Sequence, residues 1–454
     1  MTSNQTQQPP AQHSAPPNIV FILADDMGYA DLGCYGGRDA EFGPVTPRLD
    51  AMAREGLQFL NGYSNSPVCS PTRFALITGR YQYRLRGAAE EPLTRRSGNN
   101  PELIGLPPEH PTMPSLLRGA GYRTALVGKW HLGYPPHFGP LKSGYDEFFG
   151  SISGAVDYFS YLSFEGKRDL HDGESPAEVR GYLTDVISDK ACEVIRRNAQ
   201  QQQPFMLSVH YTAPHWPWET RDDEEESRRI GSQIHHVDGG SLPVYQRMIH
   251  HMDEGIGRIL DTLREVGVDD NTIVVFTSDN GGERFSDVWP FVGKKMDLLE
   301  GGLRVPLLVR WPAQVAAGGV SKQPVMTMDW MPTLLDAAGV SPDPDYPPDG
   351  LSMLAVLRDP QARLPRPMFW RMKYREQRAA IDGAWKYLKL DEHEFLYNIE
   401  VDARERANLA QREPQRLEAL RRLYAEWEAT MPPIPEDANY TLVYGPATMA
   451  RASG

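Results

Sequence analysis

Cysteine is scarce in this chain: Cys34, Cys69 and Cys192 are the three among 454 residues. An odd and sparse set offers no disulfide framework. Cys34 and Cys192 read as small, partly buried apolar side chains. A cationic excess is absent as well. Lys and Arg number 47 against 60 Asp and Glu, a net charge of −13. Nucleic acid is thereby excluded as a main partner, because phosphate backbones need a basic stripe. An anionic small substrate is not excluded, since a few local cations reverse the field inside one pocket. No run approaches the roughly 18 apolar residues of a membrane span, so no membrane partner is expected. Residues 1–17 are polar and rich in Pro and Gln. They lack a charged start and an apolar core, so no secretory signal is read there. A disordered tail over 1–17 and a cytoplasmic location are the expectations.

Short apolar runs alternate with amphipathic ones. Asn18–Leu23 reads as a buried strand ending in Ala24-Asp25-Asp26. Thr46-Pro47 opens a helix, with Thr46 as N-cap, and Gly56 stops it. Further strands are expected at Leu57–Leu60, Arg123–Val127, Pro204–Val209, Asn271–Thr277 and Val305–Val309. Helices are expected from Thr112 to near Gly121, over Thr184–Arg197 and over Ser241–Val266. This alternation predicts an α/β fold, a parallel sheet covered by helices on both faces. Residues 18–359 form the main domain in this reading. From 360 to 454, short antiparallel strands, a hairpin turn at Asp382-Gly383 and a closing helix over Leu417–Trp427 predict a smaller α+β subdomain.

Ligands of such sheets bind beyond the carboxyl ends of the strands. Asp25, Asp26, Lys129, His131, His215, Asp279 and Asn280 all follow predicted strands, so they are expected at one sheet edge. Asp25, Asp26, Asp279 and Asn280 are hard oxygen donors. That set suits Ca²⁺ or Mg²⁺ rather than zinc or copper. Three carboxylates would also repel one another there without a cation. The acidic run Asp222–Glu226 reads instead as a solvated loop. Cys69 precedes a helical stretch, where unpaired N–H groups favour an anion. A reactive thiolate and a structural cysteine both fit that position.

Residues 67–73, Pro-Val-Cys-Ser-Pro-Thr-Arg, lead on to Thr78-Gly79 and resemble the Cys-x-Pro-x-Arg signature of the type I sulfatases. Residues 121–131, from Gly121 to Lys129-Trp130-His131, resemble the family's second signature. Asp25-Asp26-Met27-Gly28, Pro214-His215, Ser278–Gly281 and Glu300–Pro306 fall in the family's order. The resemblance spans Asn18 to about Pro312. It implies an alkaline-phosphatase-like fold, a mostly parallel sheet flanked by helices, with a smaller C-terminal α+β subdomain. It also implies hydrolysis of aryl or sugar sulfate monoesters. Cys69 would be oxidised to formylglycine by a separate formylglycine-generating enzyme. The hydrated aldehyde is the nucleophile. It binds a divalent metal, Ca²⁺ ahead of Mg²⁺, together with Asp25, Asp26, Asp279 and Asn280. Arg73 would steady the diol, and His131 would take a proton from its second hydroxyl. Lys129, Lys295 and His215 would hold the sulfate charge, with His215 or Lys295 protonating the leaving oxygen. Lys295 is chosen over Lys294 because it lies five residues before Glu300. The alternative is a phosphonate monoester hydrolase or phosphodiesterase of the same superfamily; the intact Lys129-Trp130-His131 speaks for the sulfatase. His137 is near enough in sequence to line the pocket. The loops Gly150–Arg180 and Glu219–Ser241 are expected to shape its mouth.

Overall fold

The computed structural model describes residues 15–85, 105–435 and 438. Most of the tail expected over 1–17 lies outside these residues, as does the end of the chain. Among the described residues, ten strands form the main sheet. Its centre comprises β1 (Asn18–Ala24), β3 (Arg123–Gly128), β4 (Phe205–His210) and β5 (Thr272–Ser278), in the spatial order β5, β1, β4, β3, all parallel. β2 (Leu57–Phe59) and β6 (Leu307–Arg310) extend the sheet beyond β5.

From Ile19 to Ala24, β1 is apolar because it is covered on both sides. Val20, Ile22 and Ala24 meet one core. That core includes α1 (Pro47–Glu55), α3 (Leu183–Ala199) and α4 (Leu242–Glu265). Ile19, Phe21 and Leu23 meet the opposite core. Leu76 of α2 (Cys69–Thr78) and the buried face of α5 (Trp330–Ala338) belong to it. Ser241 caps α4 through its hydroxyl, which accepts from the Val244 N–H, a contact worth about 1 kcal/mol.

The sheet is mostly parallel, as expected, with β6 the exception among these strands: it runs antiparallel to both β5 and β2. The cause is the connection. It leaves β5 at its carboxyl end and returns to the same edge, where the Gly281 N–H donates to the Gly302 carbonyl. With no helix crossing the sheet, the next strand must run backward. Thr46 also departs from its expected role. Its hydroxyl accepts from the Gly33 N–H instead of capping the α1 backbone. The acidic run is not simply a loop. Glu224–Ile230 is a helical turn, and Glu226 pairs with Arg229 and His236.

Toward the C-terminus, β7 (Met368–Met372), β8 (Gln377–Asp382), β9 (Trp385–Leu390) and β10 (His393–Asn398) form an antiparallel sheet. The β8–β9 turn falls on Gly383 and Ala384, with Gly383 at φ +57°. α6 (Pro414–Glu428) packs on this sheet through Leu420 and Tyr424. The same core includes Tyr63, Tyr83, Leu298 and Leu303 from the main domain. Among the described residues no helix is long and apolar enough to cross a membrane.

Candidate active site

The carboxyl ends of β1, β3, β4 and β5 deliver the predicted residues to one buried locus. Asp25 and Asp26 follow β1, Lys129 follows β3, His215 follows β4, and Asp279 and Asn280 follow β5. Cys69 is the first residue of α2, which is buried over its whole length. The Thr72 hydroxyl ties the preceding loop back by bonding both the N–H and the carbonyl of Ser66. One ligand atom each from Asp25, Cys69 and Asp279 lies within 4.8 Å of the others, and the same holds for Asp25, Asp26 and His215.

Cations interleave these acids. Arg73 is buried, with Nε 2.9 Å and Nη2 2.8 Å from Asp279 Oδ2, and donates to the Lys129 carbonyl. Lys129 Nζ is paired with Asp25, and Lys295 Nζ lies 2.7 Å from Asp26 Oδ2. His215 Nδ1 faces the Trp216 carbonyl at 2.8 Å. A carbonyl only accepts, so Nδ1 carries the proton. Nε2 is then the atom 3.5 Å from Asp26. Burial, then Lys295 and Lys129, holds this imidazole well below its usual range.

Burial and the neighbouring Asp279 push the Asp25 carboxyl well above its usual range, against the pull of Lys129 and Arg73. Burial acts on Asp279 too, but there Arg73 and Lys129 prevail and the carboxyl is held low. Burial raises the Cys69 thiol despite Lys129 and Lys295. As an unmodified thiol, residue 69 is a poor nucleophile. The donor set also passes a test for a hard cation. Asp25 Oδ1 and Asn280 Oδ1 are buried and accept no hydrogen bond. The Asn280 amide instead donates Nδ2–H to Asp26 Oδ1 at 2.8 Å. Two orphaned buried oxygens beside three carboxylates fit a hard cation such as Ca²⁺ or Mg²⁺.

Asp26, His131 and Met296 have φ of +63°, +58° and +80°. Non-glycine residues hold that conformation only where their surroundings impose it. For His131 the cause is visible. Its N–H donates to the Ile152 carbonyl, and its ring lies so close to Gly154 that an added Cβ would sit 2.5 Å from Cε1. Asp169, absent from the sequence reading, fixes this loop by accepting from the N–H groups of Ile152 and Ser153. Tyr158, also missed, donates its hydroxyl to the His215 carbonyl. Neither carries a local signal, because each acts from a loop distant in sequence. His137 is exposed, its ring against Phe138. Lys294 is half-buried, while Lys295 is the lysine turned to Asp26.

A buried carboxylate cradle ringed by fixed cations, at the carboxyl edge of a mostly parallel sheet, defines a hydrolase of anionic esters. The sulfatase family model matches residues 17–340, and that of the N-sulphoglucosamine sulphohydrolase C-terminal region matches 289–427. Human N-acetylgalactosamine-6-sulfatase is 38% identical over 374 residues, covering 78% of this chain and 68% of its own. The crystal structure of Ps i-CgsB superposes with a TM-score of 0.80 at 29% identity, covering 93% of this chain and 94% of that one. Phosphonate monoester hydrolase of Agrobacterium radiobacter shares the fold, with a TM-score of 0.63 at 21% identity over 91% of this chain and 95% of its own. The chain belongs to the sulfatase family, within the alkaline phosphatase superfamily, and is a sulfuric ester hydrolase.

Proposed function

We propose that this enzyme removes sulfate from sulfated carbohydrates with a formylglycine made from Cys69 and a bound Ca²⁺. The proximity of Asp25, Asp279 and Cys69, all buried and flanked by Arg73 and Lys129, carries the reading. Asp25, Asp26, Asp279, Asn280 and residue 69 would hold the ion. A cation held there would supply Lewis-acid chemistry: polarisation of a sulfate oxygen and easier loss of a proton from a hydroxyl of residue 69.

The protein's own groups do the remaining work. Arg73, locked on Asp279, steadies the oxygen that attacks sulfur. Lys129 and Lys295 offset charge on the sulfate oxygens. Lys295 supplies the leaving oxygen's proton, while His215, neutral with its proton on Nδ1, cannot donate from Nε2, and His131 takes one from residue 69 so that the aldehyde can reform. The hydrated aldehyde contributes a second hydroxyl, which gives the covalent step its own exit.

The carbohydrate assignment draws on the names of the relatives and on a wall of rings. His215 and Trp216 lie 3.9 Å apart, Trp216 and His235 4.8 Å, and His235 and Phe164 4.3 Å, centroid to centroid. Phe164 and His235 come from the two loops expected at the mouth. Aromatic faces suit the apolar face of a sugar ring.

The test is kcat/KM on a sulfated amino sugar, an aryl sulfate and an aryl phosphonate, before and after chelation. Both sulfates should exceed the phosphonate, the sugar should lead, and Ca²⁺ should restore chelated enzyme better than Mg²⁺. A phosphonate preference, or full activity after chelation, would refute the proposal.

A further inference from the structure

Lys295 sits in a short segment with an unusual set of anchors. Its own N–H donates to the Gly282 carbonyl at 3.0 Å, two residues beyond Asn280. The Met296 N–H donates to the Pro67 carbonyl at 3.0 Å, two residues before Cys69. Between these ties Met296 is held at φ +80°. Such a turn persists only where other contacts over-determine it. The third anchor comes from outside the main domain. Gln377 opens β8 of the C-terminal sheet and is 1% exposed. Its Nε2 donates to the Met296 carbonyl at 2.8 Å and to the Tyr374 carbonyl at 3.1 Å. Its Oε1 accepts from the Leu298 N–H at 2.9 Å. Two carbonyls and one N–H fix the orientation of the amide, because the flipped form would face like with like. Every strong hydrogen-bonding direction from this side chain into the loop thus brackets the residues directly after Lys295.

We infer that Gln377 is a positioning residue for Lys295, so that the C-terminal sheet sets the place of one sulfate-facing cation. The inference rests on the reading of Lys295 proposed above. Gln377 touches none of the site acids. It acts by holding the strained turn that aims the ammonium at Asp26. With the clamp removed, the Met296 carbonyl and Leu298 N–H lose buried partners and the turn relaxes. A displacement near 1 Å at a reacting centre costs on the order of 100-fold in rate.

The experiment is a double-mutant cycle on the holoenzyme, with a sulfate ester as substrate and inorganic sulfate as product inhibitor. Gln377→Leu should lower kcat/KM by about tenfold to a hundredfold and weaken inhibition by sulfate in parallel. In a Lys295→Met background the same change should cost less than about twofold, since the group it positions is gone. Asn408→Ala provides the control for general loosening. Its side chain accepts from the Leu396 N–H of the same sheet and from the Ala410 N–H of the connection that follows, away from residue 295. It should lower the Tm while leaving kcat/KM unchanged. Should Gln377→Leu fail to fold, Gln377→Asn serves, one methylene too short to span both partners. Losses that multiply in the cycle would overturn the inference. So would a kinetically normal Gln377→Leu beside a crippled Lys295→Met, or an Asn408→Ala enzyme impaired as badly as Gln377→Leu. A Lys295→Met enzyme with normal kcat/KM would instead sink the role of Lys295 itself, and this inference with it.

Discussion

Cys69→Ala enzyme is expected to hydrolyse sulfate esters at least about 10⁴-fold more slowly than the parent, with its fold intact. The size follows from what the side chain must do. Removing a nucleophile from a preorganised site leaves only the rate that bound cations and positioning supply. Those cations stay in place, because Arg73 is held by Asp279 and Lys129 by Asp25, not by residue 69. Removing one small buried group costs about 1 kcal/mol of stability. Steady-state sulfate release and a thermal melt, run on one preparation, separate the two effects. Activity within about tenfold of the parent would remove residue 69 from the chemistry.

Lys386→Met is expected to destabilise the protein by about 3–5 kcal/mol, the usual cost of stripping the partner from buried charges. Lys386 Nζ lies 2.9 Å from Glu300 Oε1 and 2.8 Å from Glu405 Oε1, and all three side chains are inaccessible. Burial disfavours each charge. Lys386 and Arg304 nevertheless hold Glu300 down at about 2, while burial and Glu300 lift Glu405 to about 7 against the pull of Lys386. The sign of the pH dependence follows from Glu405. Its folded value lies above the ordinary carboxyl value, so its contribution is full below about pH 4.5 and is lost as pH rises through 7. The variant's deficit should therefore be largest above pH 7 and shrink toward pH 5. Denaturant unfolding at three pH values measures it. A deficit below about 1 kcal/mol at pH 8 would mean that the cluster is not a buried charge network. Because the Glu300 N–H also bonds Glu405, this cluster fastens the C-terminal sheet to the loop that carries Lys295.

The parts legible in the sequence were those with local signals. After Asn18, β1 is an uninterrupted apolar run, and such a run ending in two acids can hardly be other than a buried strand delivering them to an edge. Residues 67–73 and 121–131 carry their order within a few positions of one another. The reversal of β6 was not legible, since a loop returning to its own edge leaves no periodic trace. Asp169, Tyr158, Gln377 and Lys386 were missed for a related reason. Each acts by long-range hydrogen bonds on a backbone whose path the sequence does not display. Thr46 shows the converse: a sound local signal, overruled when the Gly33 N–H claimed its hydroxyl.

The central claim is that oxidised residue 69, beside a bound cation, is the group that attacks sulfur. Its most direct test is peptide mass spectrometry across Cys69 on preparations made with varying amounts of the formylglycine-generating enzyme, paired with sulfate release from each. Turnover per mole of protein should rise in proportion to the aldehyde fraction and extrapolate to zero where residue 69 is entirely thiol. Undiminished turnover from all-thiol protein would contradict it.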